Sequence, residues 1–174
     1  MLYLRPYKPC DAETVLSWCQ DEKALRQWTA DRLSAYAYPV TAEQFNGYFR
    51  QFDGEANYFP MTAFDEAGAA AGFFLLRWPE ADHKTVRLGF LILDGALRGR
   101  GLGRRLVELS CRYAFEFLGA ERVTLAVFDN NPAARRCYER AGFAECERSV
   151  YTMNGAPWPC AIMERYRSKG EAAT

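Results

Sequence analysis

The sequence contains a single histidine, His83, and its six cysteines include no C-x-x-C pair. A zinc site would depend almost wholly on cysteines whose spacing does not suit one, so we predict no metal. No run of ~18 apolar residues exists to span a membrane, and the first residues lack the apolar stretch of a signal peptide. These absences favour a cytoplasmic protein with reduced thiols.

The chain also lacks a net charge, because 22 basic residues balance 22 acidic ones. Nucleic-acid-binding domains normally carry a basic excess, since their affinity comes from neutralising phosphates. We therefore predict neither a nucleic-acid nor a membrane partner. The sequence is compatible with a monomer or a homodimer.

Neither internal repeats nor a Pro/Gly/Ser-rich linker divides the chain. Hydrophobic residues make up 49% and charged residues 25%, which is typical of a globular protein with a sizeable core. We predict one domain over residues 1–168. The polar stretch 169–174 is predicted to be a flexible tail.

Local patterns predict a strand, two or three helices, three strands, a helix, a strand, a helix and two strands. Helices are expected after Asp11, Asp21 and Thr41, the last with a Thr41–Gln44 capping box. The other predicted elements are strands at 2–5, 58–65, 70–78, 85–93, 123–128, 143–152 and 160–166, and helices at 102–117 and 132–141. This order predicts an α+β (mixed α/β) fold with helices on both faces of the sheet.

A glycine-rich turn follows the apolar strand that ends at Leu93 and opens the next helix. The sequence of this turn is Arg98-Gly99-Arg100-Gly101-Leu102-Gly103-Arg104. Glycines let backbone N–H groups approach a bulky anion, and the first N–H groups of a helix are free to bind a diphosphate. The spelling fits neither G-x-G-x-x-G nor a P-loop. A turn that merely packs the helix against the strand is the alternative interpretation.

The spelling R-x-x-G-x-G resembles the acyl-CoA-binding motif of the GNAT superfamily of N-acetyltransferases. The segment from Asn131 to Phe143 is similar to that family's second motif, N-x-x-A-x-x-x-Y-x-x-x-G-F. The opening of the chain resembles the branch that contains the ribosomal-protein N-terminal acetyltransferases, through Arg5-Pro6, Asp11, Trp18, Asp21 and Trp28. The resemblance implies a central, mostly antiparallel sheet in which two strands splay apart.

The resemblance also implies where acetyl-CoA binds as cosubstrate. Leu91, Ile92 and Leu93 would pair with the pantetheine arm, with the N–H near Leu91 polarising the thioester carbonyl. The turn residues Arg98, Gly99, Arg100, Gly101, Leu102, Gly103 and Arg104 would hold the diphosphate. Asn131 would contact the arm from the other side.

Tyr138 is the predicted catalytic residue, since the family places there the group that donates a proton or hydrogen bond to the departing thiolate. The alternative is a tyrosine that only packs its helix. The base is unassigned. Ala126 stands where some relatives carry a glutamate. Glu80, Asp82 and His83 lie together between two predicted strands and could reach a cleft as the base, directly or through water, but a solvated turn is the simpler interpretation.

Cys137 adjoins Tyr138, but no histidine is placed to activate it, so we predict a buried thiol and direct attack by the amine. The sequence thus predicts acetyl transfer to a protein N-terminus or a small amine. A non-catalytic acyl-CoA-binding sensor or regulatory module is the alternative. Early aromatics, by default core residues, could also line an acceptor pocket: Trp18, Trp28, Phe45, Tyr48, Phe49 and Phe52.

Overall fold

A computed structural model describes residues 1–168, and the predicted tail at 169–174 lies outside them. The strands are β1 (Tyr3–Pro6), β2 (Tyr58–Phe64), β3 (Ala70–Arg77), β4 (Thr85–Leu93), β5 (Arg122–Phe128), β6 (Ala144–Met153) and β7 (Ala156–Tyr166). The helices are α1 (Ala12–Ser17), α2 (Glu22–Thr29), α3 (Ala42–Arg50), α4 (Leu102–Arg112) and α5 (Pro132–Arg140). Short 3-10 turns lie at Pro9–Asp11 and Gly95–Leu97, and a π-helical turn, Tyr113–Phe117, continues α4.

All seven strands of this range form one sheet in the order β1-β2-β3-β4-β5-β7-β6. Each neighbouring pair is antiparallel except β4 and β5, which run parallel. The parallel pair is joined by the crossover through α4, as a parallel connection requires. The prediction of a mixed, mostly antiparallel sheet is confirmed.

Alternation along β3 divides the core between the two faces of the sheet. Phe74 and Leu76 point to the face covered by α4, where they share a cluster with Leu106. Phe73 and Leu75 point to the other face, which α1, α2 and α3 cover. Helices therefore lie on both faces of the sheet, as the sequence predicts. The layer of α4 covers one face and the layer of α1, α2 and α3 covers the other.

Two of the three predicted N-caps are present. Asp21 Oδ1 accepts from the Ala24 N–H at 2.7 Å, and Thr41 forms a reciprocal capping box with Gln44. Asp11 does not cap α1, so that prediction is wrong. Its carboxylate is already engaged by Arg5, by the Lys8 N–H and by the Thr62 hydroxyl.

The last strand begins earlier than predicted, at Ala156 instead of 160. Pro157 and Pro159 argue against a strand, because proline cannot donate to a sheet ladder. Both residues pair with β6, and the Pro159 carbonyl accepts from the Asp129 N–H on the opposite side. The positions without an N–H thus face the β5 side of β7, where the pairing with β5 has already ended at Cys160. The strand therefore loses no ladder hydrogen bond.

Candidate active site

The parallel strands β4 and β5 separate soon after they meet. Their pairing covers only three positions and ends at Arg87 and Thr124, although both strands continue. The backbone of β4 beyond Arg87 therefore has no ladder partner on the β5 side. Unpaired N–H and C=O groups of this kind are available to a ligand.

A bulge at Phe90 re-aims this free portion of β4. The pairing with β3 shifts between Phe73 and Leu75, and Phe90 has a φ of +49°, which is unfavourable for a bulky side chain. The Trp28 indole Nε1 donates to the Phe90 carbonyl at 2.7 Å. This bond ties the strained residue to α2 on the helical layer.

The gap between the strands opens into a cleft of about 260 Å³. Six of the predicted site residues line it: Leu91, Ile92, Leu93, Arg98, Asn131 and Tyr138. The other six, Gly99, Arg100, Gly101, Leu102, Gly103 and Arg104, follow Arg98 into the first turn of α4 and do not line the cleft. Their proposed role is therefore confined to the end of the cleft where α4 begins.

The start of α4 carries free donors. Gly101 is its N-cap with a φ of +74°, no side chain caps the helix, and a Cβ added there would meet nothing within 4 Å. The first N–H groups of α4 consequently have no side-chain cap, and they lie at the positive end of the helix dipole. Gly103 faces α5, and a Cβ added there would make an ordinary van der Waals contact with Cys137 Sγ at 3.6 Å. Arg104 donates to Glu108 at 2.7 Å along the helix.

Asn131 and Tyr138 come to the cleft on α5. The Asn131 Oδ1 accepts from the Ala134 N–H at 3.1 Å, so this oxygen caps the helix and only the amide NH₂ is left for a ligand. Tyr138 is half-buried, and its hydroxyl makes no hydrogen bond within residues 1–168. Burial raises the pKa of Tyr138, so the hydroxyl stays protonated at neutral pH.

Neither thiol near the cleft is activated. Burial raises the pKa of Cys137, and the nearby arginines Arg140 and Arg104 do not offset it. Burial also raises the pKa of Cys19, which lines the cleft. A protonated thiol is a poor nucleophile, which speaks against an acyl-cysteine intermediate.

The three polar residues considered as bases lie elsewhere. Glu80, Asp82 and His83 are exposed in the turn between β3 and β4, and His83 stacks on Trp78 with ring centroids 5.0 Å apart. Ala126 does line the cleft. Within the described chain, no carboxylate or imidazole belongs to the cleft lining.

Sequence reasoning missed several residues of the opposite wall. Trp18 and Trp28 do line the cleft, whereas Phe45 and Phe49 are buried in the core. The additional polar lining residues are Gln27, Arg32, Arg77, Arg87 and Tyr151. The available signal was the pair of arginines near facing ends of two consecutive strands, which a hairpin brings together.

Residues 1–168 contain neither a metal-binding cluster nor a membrane-spanning helix. No group of three or more histidine, cysteine, aspartate or glutamate side chains is placed to hold a metal ion. None of the helices in that range has the length and apolar character required to cross a membrane.

Partial likeness to curated proteins covers about half of the chain. It is 29% identical over 94 residues to a spermine/spermidine N(1)-acetyltransferase of Bacillus subtilis, covering 51% of this chain and 62% of that protein. It is 35% identical over 95 residues to a mycothiol acetyltransferase of Salinispora tropica, covering 52% of this chain and 30% of that protein. Each alignment thus spans less than two thirds of the relative.

The fold is similar over nearly the whole chain to a solved spermidine N-acetyltransferase from Vibrio cholerae, crystallised in complex with CoA and spermine. The TM-score is 0.81 at 19% identity, with 97% of this chain and 96% of the other covered. The finer resemblance to the ribosomal-protein branch stays a prediction. Residues 1–144 match the acetyltransferase (GNAT) domain family, and the chain therefore belongs to the GNAT family.

Proposed function

We propose that this protein transfers an acetyl group from acetyl-CoA to a primary amine within a ternary complex. The observation that carries the proposal is the cleft between β4 and β5, which has the uncapped start of α4 at one end and the Tyr138 hydroxyl in its wall. The related proteins named above are acetyltransferases, which supports the same reaction class. Placing both reactants in one cleft replaces a bimolecular encounter.

The residues on the α4 side fit the chemical groups of acetyl-CoA. The free N–H groups after Gly101 suit a diphosphate, and the exposed guanidinium of Arg98 adds positive charge beside them. The backbone of Leu91, Ile92 and Leu93, which has no ladder partner on the β5 side, suits the amides of a pantetheine arm. Acetyl-CoA supplies the thioester, whose carbonyl carbon is the electrophile.

The amine attacks that carbon directly. The nitrogen forms a C–N bond, the C–S bond breaks, and its electron pair leaves on sulfur. Tyr138 donates a proton or hydrogen bond to the departing thiolate, and the proton that the amine loses restores the balance, so that the products are an amide and a free thiol. The raised pKa of Tyr138 suits a donor better than a base.

The absence of a base from the described cleft lining constrains the acceptor. An ammonium has no lone pair, so the amine must lose a proton to water before it reacts. An α-amino group, with a pKa of about 8, does this at neutral pH far more readily than a lysine side chain at about 10.4. The site thus favours an amine of modest basicity.

Both specific acceptors suggested by resemblance have weak support from the lining. In the opening segment likened to the ribosomal-protein branch, Arg5 and Asp11 bind one another and Asp21 caps α2. The polyamines named for two relatives are polycations. The described lining contains four arginines and no carboxylate, which is unfavourable for a polycation.

A thiol-release assay with acetyl-CoA and a panel of primary amines tests the function, beside calorimetry with CoA and acetyl-CoA. We expect acetyl-CoA to bind with a Kd of about 10⁻⁶–10⁻³ M, the range of typical KM values, and turnover with some amines. Absence of any affinity for CoA or its acetyl ester would falsify the proposal. Binding without turnover for any amine would support the sensor or regulatory module instead.

A further inference from the structure

Besides Arg98, three further arginines line the cleft without carboxylate partners. Arg32 follows α2, Arg77 ends β3 and Arg87 lies on β4, and none of them makes an ion pair within residues 1–168. Other arginines of this chain do pair, among them Arg5, Arg26, Arg122, Arg135 and Arg148. These unpaired cleft arginines differ from unpaired arginines at exposed surface positions, such as Arg50, because they converge on one concave lining that has no carboxylate within residues 1–168.

Arg77 and Arg87 face one another directly across the β3–β4 ladder. Side chains at such positions are about 5 Å apart at Cβ, and like charges there destabilise a sheet. Both residues are half-buried, which adds a desolvation cost. Burial together with the neighbouring charges of Arg32 and Arg87 lowers the pKa of Arg77. A bound anion would reduce the repulsion between these two arginines and so stabilise the fold.

Arg32 reaches the cleft through strained backbone. Ala30 and Asp31, which precede it, both have positive φ values, +49° and +62°. Two successive non-glycine residues in this region are costly. The Asp31 carboxylate is held by Arg26 at 2.5 Å, so the turn is fixed by an ion pair that does not use Arg32, whose guanidinium lies near Tyr48. Strain retained at a cleft wall indicates a function for the residue it positions.

All three arginines lie away from the α4 end of the cleft. Arg77 shares its sheet face with Phe73 and Leu75, which pack under α1, α2 and α3 and not under α4. Tyr151, whose hydroxyl accepts from Arg87 Nη2 at 3.2 Å, enters from β6. The diphosphate-binding donors at α4 are on the opposite face, so the arginines face the acceptor half of the cleft.

We infer that the acceptor is a primary amine that also carries an anionic group, a carboxylate or a phosphate, which Arg32, Arg77 and Arg87 bind. The inference rests on the proposed function and names its substrate class. Guanidinium groups match both oxyanions with paired N–H donors. Bound there, the anion neutralises the facing arginines and holds the molecule by the end remote from its amine. A second ammonium, as in a polyamine, would meet like charge instead.

The test compares amines in matched pairs by thiol release with acetyl-CoA. One arm sets each α-amino acid of a panel beside its decarboxylated amine, ornithine beside putrescine among them. The other arm sets phosphoethanolamine beside ethanolamine. We expect kcat/KM to be at least about tenfold higher for the anionic member in one arm, and the arm that responds identifies carboxylate or phosphate.

Amino-acid amides separate charge recognition from basicity. An amide keeps the side chain and has a less basic amino group than the free acid, so basicity alone would make the amide faster. A faster free acid therefore reports recognition of the carboxylate. Equal rates in both arms, or faster turnover of the uncharged or polycationic members, overturn the inference about the acceptor. Because acetyl transfer still occurs in that case, the proposed acetyltransferase function is retained. Loss of all turnover despite acetyl-CoA binding overturns both.

Variants assign the effect to the arginines. Arg32→Gln, at an exposed position, and Arg77→Met, which keeps the length of the buried stem, should each raise the KM of the anionic amine about tenfold with the KM of acetyl-CoA unchanged. Arg50→Gln removes the same charge from an exposed site on α3 outside the cleft and serves as the control. Unchanged amine KM in both cleft variants, or a raised KM for acetyl-CoA instead, would contradict the assignment.

Discussion

The two walls of the cleft are built in different ways. The wall of β4, α4 and α5 comes from one segment, residues 88–143, in which consecutive elements supply the free backbone, the uncapped helix and Tyr138. The facing wall is assembled from α2 and the turn after it, the β3–β4 ladder and Tyr151 of β6. The first wall carries the groups that we propose bind acetyl-CoA, and the second carries the arginines that we propose bind the acceptor. Chemistry and specificity are thus separable by mutation.

The largest effect is expected at the first wall, from Tyr138→Phe. Removing the hydroxyl should lower kcat by about 100-fold, the lower range for loss of a general acid. Affinity for acetyl-CoA should stay the same, because the ring still packs near Phe143. Stopped-flow or steady-state thiol release gives kcat, and calorimetry gives the affinity.

Tyr113→Phe is the matched control, since Tyr113 is also half-buried but lies outside the cleft, stacked on Phe117. It should retain full activity. The pH profile is a second readout: because the pKa of Tyr138 is raised, activity should climb as the amine deprotonates and show no loss from Tyr138 ionisation near pH 10. Full activity in Tyr138→Phe would remove this residue from the chemistry.

The second wall depends on a polar anchor distant from the chemistry. Asp11 is buried, with 7% of its surface exposed, and binds Arg5, Lys8 N–H and Thr62, which joins α1 to β1 and β2. We expect Asp11→Asn to lower the free energy of unfolding by about 2 kcal/mol at pH 7, a value reduced for the partial exposure of Arg5. Chemical denaturation measures it.

The pH dependence of that loss has a definite sign. Burial opposes the charged form of Asp11, but hydrogen bonds from Arg5, Lys8 and Thr62 outweigh it, and the pKa of Asp11 is lowered. A lowered folded-state pKa stabilises the protein above the unfolded-state pKa, and the benefit disappears as pH falls through the folded value. The difference between wild type and Asp11→Asn should therefore shrink in acid. Asp129→Asn breaks an exposed pair with Arg148, which solvent screens, and should change stability much less than Asp11→Asn does.

The sequence predicts the first wall better than the second, because the first comes from one continuous segment and the second from elements that are distant in the chain. Spacings within 91–138 stay local, so the glycine turn, the helix starts and Tyr138 follow from residues close in the chain. The pairing of Arg77 with Arg87 depends on hairpin register, which the β3–β4 turn of mixed polar residues does not specify. Arg32 depends on two positive φ values that no glycine announces.

Errors in the predicted elements have the same origin. Asp11 has the composition of an N-cap, yet a long-range partner, Thr62, and Arg5 take its carboxylate. Pro157 and Pro159 read locally as strand breakers and are accommodated because β5 has ended beside them. In each case tertiary contact overrides a local preference.

A smaller effect is expected from a change at Gly101, at the end of the first wall where the diphosphate is proposed to bind. Gly101→Ala places a Cβ in open space, so the cost is conformational, about 1 kcal/mol in free energy of unfolding for a left-handed residue. The disturbed helix start should also weaken acetyl-CoA binding about fivefold. Gly54→Ala has a similar φ, +86°, and open space outside the cleft, so it should lose stability without losing affinity. Equal affinity in both variants would exclude α4 as the diphosphate site.

The smallest effect on activity is expected from a change at Trp28, the residue that connects the two walls. Trp28→Phe keeps an aromatic ring against Phe45 but removes the Nε1–H that donates to the Phe90 carbonyl. The lost hydrogen bond should cost about 1 kcal/mol of stability, and the freed bulge should lower kcat/KM for the amine about threefold, since misplacement of a reacting group is felt at the transition state. Trp158→Phe, beside Phe128 and outside the cleft lining, tests whether any tryptophan loss does the same. If both variants lose stability but neither loses activity, the pairing with β3 alone positions the bulge. The hydrogen bond from Trp28 on α2 then has no part in catalysis.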